Sequence, residues 1–502
     1  MSPNNKMQPT IYIIGAGLAG TMIAHEIRRK GVFGRVAAFL DDDPQKIGSK
    51  IEGVPVLGPI QDVARLIRVE ARDELLIAIP SINAERLREI YAIVKDAGFT
   101  TIKLLPGISQ IVDGNAHLVQ AREINPQDLL GRTPIKISLK NSLAYLRGKR
   151  VLITGAGGSI GSELARQLLS GGAERLYLFG HGENSIYQID KELRLLQEEG
   201  VGDKATSVPI VGELKDRDYM RYIVSKLRCD AVFHTAAYKH VPLMEANPVA
   251  VIENNVFGTK NLLDACIESG VKRFVLISTD KAVNPVSIYG VSKMLNEKMV
   301  LDAAARIKEK YGSDDYAYMF VRFGNVLGSR GSIFPLFVEQ VKKGGPVTVT
   351  SPDMMRFFMT IPEACSLVLQ TGGVGINGQS YLLDMGEPVN ILETARQLIR
   401  DMGYEPEKDI PIEIIGVRPG ERLEEPLISE TEYTEATEYP KILRLQNRES
   451  YDAAALEELI STLQPVCCSS ENVNLYRNKD YLIHTLCSVC ESLRSNYEYT
   501  GT

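Results

Sequence analysis

The chain has 502 residues, of which 44% are hydrophobic and 24% charged, with a formal net charge of −6 at pH 7. This length predicts two or three domains, and the mild negative charge gives no support for nucleic-acid or membrane-surface binding. Neither an apolar run of about 18 residues nor a signal peptide is found, so we expect a cytoplasmic protein without a membrane span.

The chain begins with a pattern typical of a nucleotide-binding domain. The segment IYIIGAGLAGTMIAHEI places Gly15-x-Gly17-x-x-Gly20 between a predicted strand and a predicted helix. The next strand, RVAAFLDDD, ends in Asp41 and Asp42, where an acid would contact a ribose. These features predict a Rossmann-like domain over residues 1–125.

A strand at residues 74–79 and a helix at residues 83–97 complete this first domain. Nothing after its glycine motif resembles a catalytic group. The domain therefore either binds a nucleotide or is a degenerate, regulatory relative of such domains. Residues 126–147 are predicted to form a connector.

A second glycine motif opens the segment KRVLITGAGGSIGSELARQLL. Gly155, Gly158 and Gly161 provide the tight turn, the close approach to a pyrophosphate and the close packing of helix on strand. The strands that follow alternate with helical stretches, which predicts a doubly wound parallel sheet. After Phe323 a looser pattern predicts a smaller substrate-binding lobe within residues 148–448. The predicted strands lie at residues 175–179, 207–211, 230–234 and 273–278.

The run FVLISTDKAVNPVSIYGVSK indicates the chemistry of this second domain. A hydrophobic strand ends in Thr279, Asp280 and Lys281, and a turn then leads to a predicted helix with Tyr289 and Lys293. Residues four apart share a helix face, so the Lys293 ammonium is expected to lie near the phenol and lower its pKa. Tyr289 would then act as a base toward a sugar hydroxyl. The same spacing at Tyr91, Tyr145, Tyr187, Tyr222 and Tyr404 lacks this context and is interpreted as structural.

Eight segments together resemble a known family. They are TGAGGSIG, HTAAYKHVPLME, NNVFGTKNLL, STDKAVNP, YGVSK, RFGNVLGSRGSIFPLF, MRFFMTIPEA and RPGERLEE. In this order, between Gly148 and Leu427, they resemble the UDP-N-acetylglucosamine 4,6-dehydratases of bacterial polysaccharide and glycan biosynthesis, which are extended short-chain dehydrogenases/reductases. Residues 1–125 look like the additional domain of the long-form members. Many of those members carry N-terminal transmembrane helices, so the chain would be a soluble version or a cytoplasmic part.

The resemblance implies a lyase mechanism in three steps. Tyr289, assisted by Lys293 and Thr279, would take the 4-hydroxyl proton while C4 gives a hydride to the nicotinamide. Lys281, once neutral, would remove the C5 proton, and a protonated Asp280 would protonate the departing 6-hydroxyl. The hydride would then return to C6. Both groups need pKa values shifted by their surroundings.

The resemblance also implies the ligand contacts. The cofactor would be NADP or NAD, because Leu178-Phe179-Gly180-His181 lacks the acid that selects NAD at this strand end. The substrate would be UDP-N-acetylglucosamine, with arginines on its phosphates. Predicted cofactor contacts are Gly155, Gly158, Ser159, Ile160, Gly161, Ala236, Ala237, Tyr238, Asn255, Tyr289 and Lys293. Predicted substrate contacts are Lys239, His240, Arg322, Asn325, Arg330, Arg356, Arg418 and Glu421, the last orienting Arg418.

Several alternatives stay open. Long-form relatives often carry methionine in place of Tyr289, so retention or inversion at C5 is undecided. A nucleotide-sugar C4- or C5-epimerase would use the same scaffold, and a nucleotide-sensing protein would bind without turnover. We expect a homo-oligomer and no metal site. Residues 449–502, with Cys467-Cys468 and Cys487-x-x-Cys490, are interpreted as a poorly packed tail with reduced thiols.

Overall fold

A computed structural model of the chain describes residues 9–30, 34–80, 82–105, 122–124, 142–198, 200–202, 204–448, 452–468 and 471–500. Internal contacts divide the chain into two units. They are Met1–Lys140 with Leu195–Val201, and Asn141–Arg194 with Gly202–Thr502. Most of the predicted connector, residues 126–141, lies outside the described residues.

The first unit contains a five-stranded sheet that is parallel apart from its last strand. Alternate strand residues enter two apolar clusters, with Ile13 and Leu76 in one and Ile14 and Ile77 in the other. Both faces of the sheet are thus buried, as expected for parallel strands flanked by helices. The strands follow the order Arg35–Leu40, Thr10–Ile14, Glu74–Ile77, Thr101–Leu104 and Arg122–Glu123. The helices are Leu18–Lys30, Ile60–Asp62 (3-10), Val63–Leu66 and Ala84–Asp96, and Lys50–Ile51 pairs with Val54–Pro55.

The second unit is built on a nine-stranded sheet. Its first seven strands in spatial order are parallel, and the last two pairings, which involve the eighth and ninth strands, are antiparallel. The strand order reverses between Arg150–Thr154 and Ala231–His234, and ligands of such sheets bind beside the strand ends at this point. The predicted doubly wound sheet is confirmed. The order is Thr206–Val211, Arg175–Gly180, Arg150–Thr154, Ala231–His234, Arg273–Ile277, Ala317–Arg322, Ser380–Leu383, Ile442–Asn447 and Glu432–Ala436.

Helices cover this sheet, and their ends follow from local chemistry. In the helix Ile288–Tyr311 the Ser287 hydroxyl accepts a hydrogen bond from Gly290 N at 3.0 Å, and Gly312 ends the helix with a φ of +60°. The other helices are Ser159–Ser170, Glu183–Glu198, Arg217–Leu227, Val241–Ala246, Pro248–Val251, Ile252–Phe257 (π), Gly258–Ser269 and, in 3-10 geometry, Ala144–Leu146 and Asp280–Ala282.

A smaller lobe follows the strand Ala317–Arg322, as the looser pattern after Phe323 predicted. It contains three two-stranded sheets and three helices. The pairs are Asn325–Leu327 with Phe358–Thr360, Val347–Val349 with Ile412–Ile414, and Met355–Arg356 with Val389–Asn390. The helices are Ile333–Lys342, Ile361–Val374 and Ile391–Asp401.

The prediction of a poorly packed tail after Arg448 is wrong. Helices Ala453–Cys467, Lys479–Val489 and Glu491–Thr500 pack on the second unit. Their apolar residues join the core cluster that also contains Ile288 and Tyr289. The last two helices, of 11 and 10 residues, are too short for their periodicity to stand out in the sequence. The tail side chains in that cluster are Leu456, Leu459, Ile460, Leu463, Val466, Cys467, Leu482, Leu486, Cys490 and Leu493.

No helix among the described residues combines the length and apolar composition required to cross a bilayer.

Candidate active site

A glycine-rich turn joins the central strand Arg150–Thr154 to the helix Ser159–Ser170. Gly155 has a φ of +67°, and a Cβ there would lie 2.8 Å from the Ala236 backbone, so only glycine fits. Gly158 is the N-cap and offers no side chain to the first helical N–H groups. A free helix N-terminus suits a phosphate. The residues present therefore fit the pyrophosphate of a dinucleotide.

The loop after Ala231–His234 lies beside this turn and is tied to the helix with Tyr289. Asn255 is 1% exposed. Its side chain accepts from Tyr238 N at 2.9 Å and donates to Tyr238 O and to Ser292 Oγ, both at 3.0 Å. Both amide hydrogens are used within the protein. The prediction of Asn255 as a cofactor ligand is therefore corrected to a supporting role.

Thr279, Asp280 and Lys281 lie together at the end of the strand Arg273–Ile277. Asp280 Oδ1 accepts hydrogen bonds from Thr279 Oγ1 at 2.8 Å and from Lys281 Nζ at 3.0 Å. The Asp280 side chain is fully buried. Its Oδ2 atom has no hydrogen-bond partner among the described residues. Such an oxygen is costly to bury unless a ligand or proton completes it.

Tyr289 is 7% exposed in the first turn of its helix. Burial raises the pKa of the phenol to about 12, although the Lys281 charge and a hydrogen bond with Thr279 oppose this shift. The Lys293 ammonium donates to Ile277 O at 2.6 Å, and burial lowers its pKa to about 8. The prediction that Lys293 lowers the pKa of the Tyr289 phenol is therefore wrong for the protein without a bound cofactor. Desolvation dominates, and Lys281 is the main cation acting on Tyr289.

A glutamate not singled out from the sequence completes this cluster. Glu425 is 5% exposed and lies 3.8 Å from both Lys281 Nζ and an Arg356 nitrogen. Burial would lower the pKa of Lys281, but the charges of Asp280 and Glu425 outweigh it and the pKa is raised. Glu425 lies in the RPGERLEE segment. Two adjacent glutamates there gave no basis for choosing one.

Arg322 has no free donor for a substrate phosphate. It is 3% exposed between Glu297 and Glu432, with its closest contacts at 2.7 and 2.8 Å. Its remaining hydrogen bonds go to the same carboxylates and to Leu427 O. The predicted substrate contact is therefore wrong, because all five N–H groups are used.

The other predicted arginines differ in their availability. Arg356 is largely committed to the carbonyl oxygens of Met355, Arg422 and Leu423, at 2.7, 2.7 and 2.9 Å. Arg418 is exposed. No ion pair recorded among the described residues joins it to Glu421, which does not support the predicted orienting contact. Arg330 donates to Gly157 O at the glycine-rich turn.

Lys239, Lys281 and Arg330 form a cationic cluster that includes the partner of Asp280. Burial and the charges of Arg330 and Lys281 lower the pKa of Lys239. Burial and Lys239 likewise lower the pKa of His240. Asn325 Oδ1 accepts from Lys281 Nζ at 3.4 Å. Cations that repel one another in this way favour binding of an anion.

The sheet, the glycine-rich turn and the cluster of Thr279, Asp280, Lys281 and Tyr289 at the neighbouring strand end define the class of protein, a Rossmann-type nucleotide-dependent enzyme. A family model described as polysaccharide biosynthesis protein matches residues 151–447, and the chain belongs to this family. A second model, described as a CoA-binding domain, matches residues 2–106.

Relatives extend this comparison. The capsular polysaccharide biosynthesis protein CapD of Staphylococcus aureus is 41% identical over 434 residues, 86% of this chain and 70% of CapD. A UDP-N-acetylglucosamine 4,6-dehydratase (inverting) of Campylobacter jejuni is 32% identical over 56% of this chain and 78% of its own. A UDP-glucose 4-epimerase of Rickettsia rickettsii is 31% identical over 59% and 82%.

A solved structure has a similar fold over part of this chain. The X-ray structure of Pen from Bacillus thuringiensis is 28% identical, with a TM-score of 0.53, over 63% of this chain and 98% of that chain.

Proposed function

We propose that this protein is a nucleotide-sugar 4,6-dehydratase that converts UDP-N-acetylglucosamine to a UDP-4-keto-6-deoxy-N-acetylhexosamine. The observation that carries the proposal is the pair formed by the fully buried Asp280 and the partly buried Lys281, 3.0 Å apart, next to Tyr289. Oxidation of an alcohol needs only the tyrosine and a cofactor. An acid and an amine at the same strand end suit the removal of water from adjacent carbons.

The residues around the glycine-rich turn would hold NAD(P). Gly155 and Gly161 allow the turn and the helix to pack closely, the N-cap Gly158 leaves the helix N-terminus without a side-chain cap, and the N–H groups of Ser159 and Ile160 would bind the pyrophosphate. When bound, the oxidised nicotinamide supplies a hydride acceptor for C4, a positive charge that favours the Tyr289 phenolate, and later the hydride for C6. Lys239, Arg330 and Arg418 are proposed to bind the two phosphates of the UDP moiety.

In the oxidation step, Tyr289 accepts the 4-hydroxyl proton. The Lys281 charge and the Thr279 hydroxyl stabilise the phenolate, because both lower the pKa of Tyr289. When the Tyr289 phenolate takes up the 4-hydroxyl proton, its negative charge is lost. That charge had favoured the protonated form of Lys281. Transfer of that proton to Asp280, over 3.0 Å, then makes a neutral amine and a carboxylic acid together.

In the elimination step, the new 4-ketone acidifies the C5 proton, and the Lys281 amine removes it. Asp280 protonates the 6-hydroxyl, which leaves as water. The ion pair is thereby regenerated. Lys281 returns a proton to C5 when the hydride reaches C6, and Thr279, bonded to Asp280 at 2.8 Å, passes the proton of Tyr289 back to the pair. The sugar loses one water with no net redox change.

The test is to incubate the purified protein with UDP-N-acetylglucosamine in deuterated water and to analyse the product by NMR. We expect a 4-keto-6-deoxy sugar with deuterium at C5, because the proton there comes from a group that exchanges with solvent. The configuration at C5 is read from the same spectra. A product that keeps its 6-hydroxyl contradicts the proposal.

The second candidate is a nucleotide-sugar C4- or C5-epimerase. It is favoured by the 31% identity with a UDP-glucose 4-epimerase. A 4-epimerase has no use for the Asp280–Lys281 elimination pair, so we place it second. Its product would keep the mass of the substrate, whereas dehydration lowers the mass by one water.

Replacing Asp41 and Asp42 with alanine is expected to leave turnover unchanged. Asp41 Oδ2 accepts from Ala16 N at 2.7 Å within the first glycine motif, and Asp42 pairs with Arg86 at 2.6 Å. These contacts belong to the first unit, whereas the catalytic cofactor site is proposed in the second. The check is kcat with bound-cofactor content, using Gly155→Ala as the variant that should lose both. A large loss of kcat in the aspartate variant contradicts the assignment.

Glu425→Gln is expected to shift the pH dependence of turnover. Glu425 helps to raise the pKa of Lys281, so its removal lowers that pKa. The ammonium of the resting Asp280–Lys281 ion pair then loses its proton at lower pH, so the basic limb of the kcat–pH profile moves to lower pH. Glu424→Gln is the matched control, because its side chain is exposed. Superimposable profiles for wild type and Glu425→Gln contradict a charge effect on the base.

A further inference from the structure

Two separate parts of the chain form hydrogen bonds with the turn between residues 279–281 and the helix that carries Tyr289. This turn, residues 283–287, joins Lys281 to the helix that begins at Ile288. On one side the Arg422 guanidinium donates to the carbonyl oxygens of Val283 and Asn284. The other side is contacted by the last helix of the chain, Glu491–Thr500, which lies outside the matched family region of residues 151–447.

Two side chains of this last helix bind the turn directly. Ser492 Oγ donates to Pro285 O at 2.9 Å, and Asn496 Nδ2 donates to Val286 O at 3.0 Å. Pro285 and Val286 are four and three residues before Tyr289. The helix therefore satisfies backbone acceptors at the point where the chain turns into the catalytic helix.

A third contact reaches the catalytic helix itself. Tyr497 Oη donates to Glu245 Oε2 at 2.6 Å, and Glu245 Oε1 accepts from Ile288 N at 2.7 Å. Ile288 is the first residue of the helix, and its N–H has no acceptor within that helix. Burial raises the pKa of Glu245, while the Tyr497 and Ile288 hydrogen bonds oppose the shift. Tyr497 thus fixes the carboxylate that caps the residue before Tyr289.

We propose that the helix Glu491–Thr500 positions the catalytic helix, with Tyr497 acting through Glu245 on the Ile288 amide and so on the Tyr289 phenol. Its effect on rate rests on the proposed dehydration. Loss of the Tyr497 hydroxyl removes no packing, since the ring stays in place. It frees the Glu245 carboxylate to rotate, and small displacements of a catalytic group are costly in rate.

The experiment compares Tyr497→Phe with Tyr481→Phe, a control in the preceding helix whose ring is 37% exposed. For Tyr497→Phe we expect kcat to fall about tenfold while KM changes less than about twofold, because the contact acts on the reacting geometry and not on substrate binding. Hydrogen exchange by mass spectrometry should show faster exchange in the peptide covering residues 283–293, with other core peptides unchanged. The control should match wild type in both readouts.

Glu245→Gln provides an independent variant and a coupling test. If Tyr497 acts through Glu245, the double variant should lose no more kcat than the more impaired single variant. Additive losses would overturn the proposal, and so would unchanged exchange in residues 283–293. A general rise of exchange across the core would also overturn it, as simple destabilisation. The two proposals can fail separately. If the Tyr497→Phe variant shows faster exchange in residues 283–293 but the wild type makes no 4-keto product, the positioning role of Tyr497 is supported and only the proposed dehydration is contradicted.

Discussion

The double variant Asp280→Asn with Lys281→Met is expected to lower the dehydration rate by about 10³-fold or more, while bound NAD(P) is retained. The asparagine cannot protonate the departing hydroxyl, and the methionine cannot remove the C5 proton. Neither residue belongs to the glycine-rich turn, so the cofactor site is left intact. Oxidation at C4 should be slowed by the loss of the Lys281 charge but should remain possible, so the reduced cofactor should accumulate and be detected by its absorbance.

The control is the exposed pair Asp315→Asn with Lys272→Met. Its side chains are 71% and 57% exposed and 3.5 Å apart, and it undergoes the same two substitutions. We expect wild-type rates from this control. Dehydration of UDP-N-acetylglucosamine at a near wild-type rate by the Asp280/Lys281 variant would show that the assigned roles are wrong.

Arg322→Leu is expected to lower the free energy of unfolding of the second unit by about 3–5 kcal/mol, because it leaves two buried carboxylates without their cation. Glu297 and Glu432 are 8% and 10% exposed as side chains. Burial would raise the pKa of Glu432, but Arg322 outweighs it and the pKa is lowered. The stability from Glu432 is therefore present above the ordinary pKa of 4.5 and is lost as the pH falls through the lowered value.

Denaturation followed by circular dichroism measures this effect, with Arg306→Leu as the control. Arg306 is 45% exposed in its pairs with Asp264 and Asp302, and its loss should cost about 0–1 kcal/mol. A raised KM with unchanged stability for Arg322→Leu would instead indicate a phosphate contact and restore the discarded prediction.

Local patterns predicted much of the fold. Both glycine motifs and the helix after Asn83 depend on neighbours within a few residues, and each appears close to its predicted position. The cluster of Thr279, Asp280 and Lys281 follows from adjacency at one strand end. Its pairing distances and the exposure of each group could not be read from the sequence.

The errors concern partners distant in sequence. Arg322 meets Glu432 across 110 residues, and no motif marks that pair. Tyr289 and Lys293 share a helix face as expected, but burial of the phenol and a carbonyl partner for the amine decide their protonation. The tail helices Lys479–Val489 and Glu491–Thr500 were missed because each is short and buries only a few apolar residues, whereas the apolar residues of Ala453–Cys467 have the spacing that predicts a helix.

The ion pairs of Arg322 also concern the outermost strand, Glu432–Ala436. Glu432 begins that strand, and Arg322 ends a strand three places further in. Edge strands are ordinarily the first part of a sheet to fray. Here fraying would break the backbone hydrogen bonds of the strand and would also separate the Glu432 carboxylate from the buried Arg322 guanidinium. This border of the sheet should therefore open only together with its interior, so fraying does not uncover the neighbouring strand Ile442–Asn447 as a second free edge.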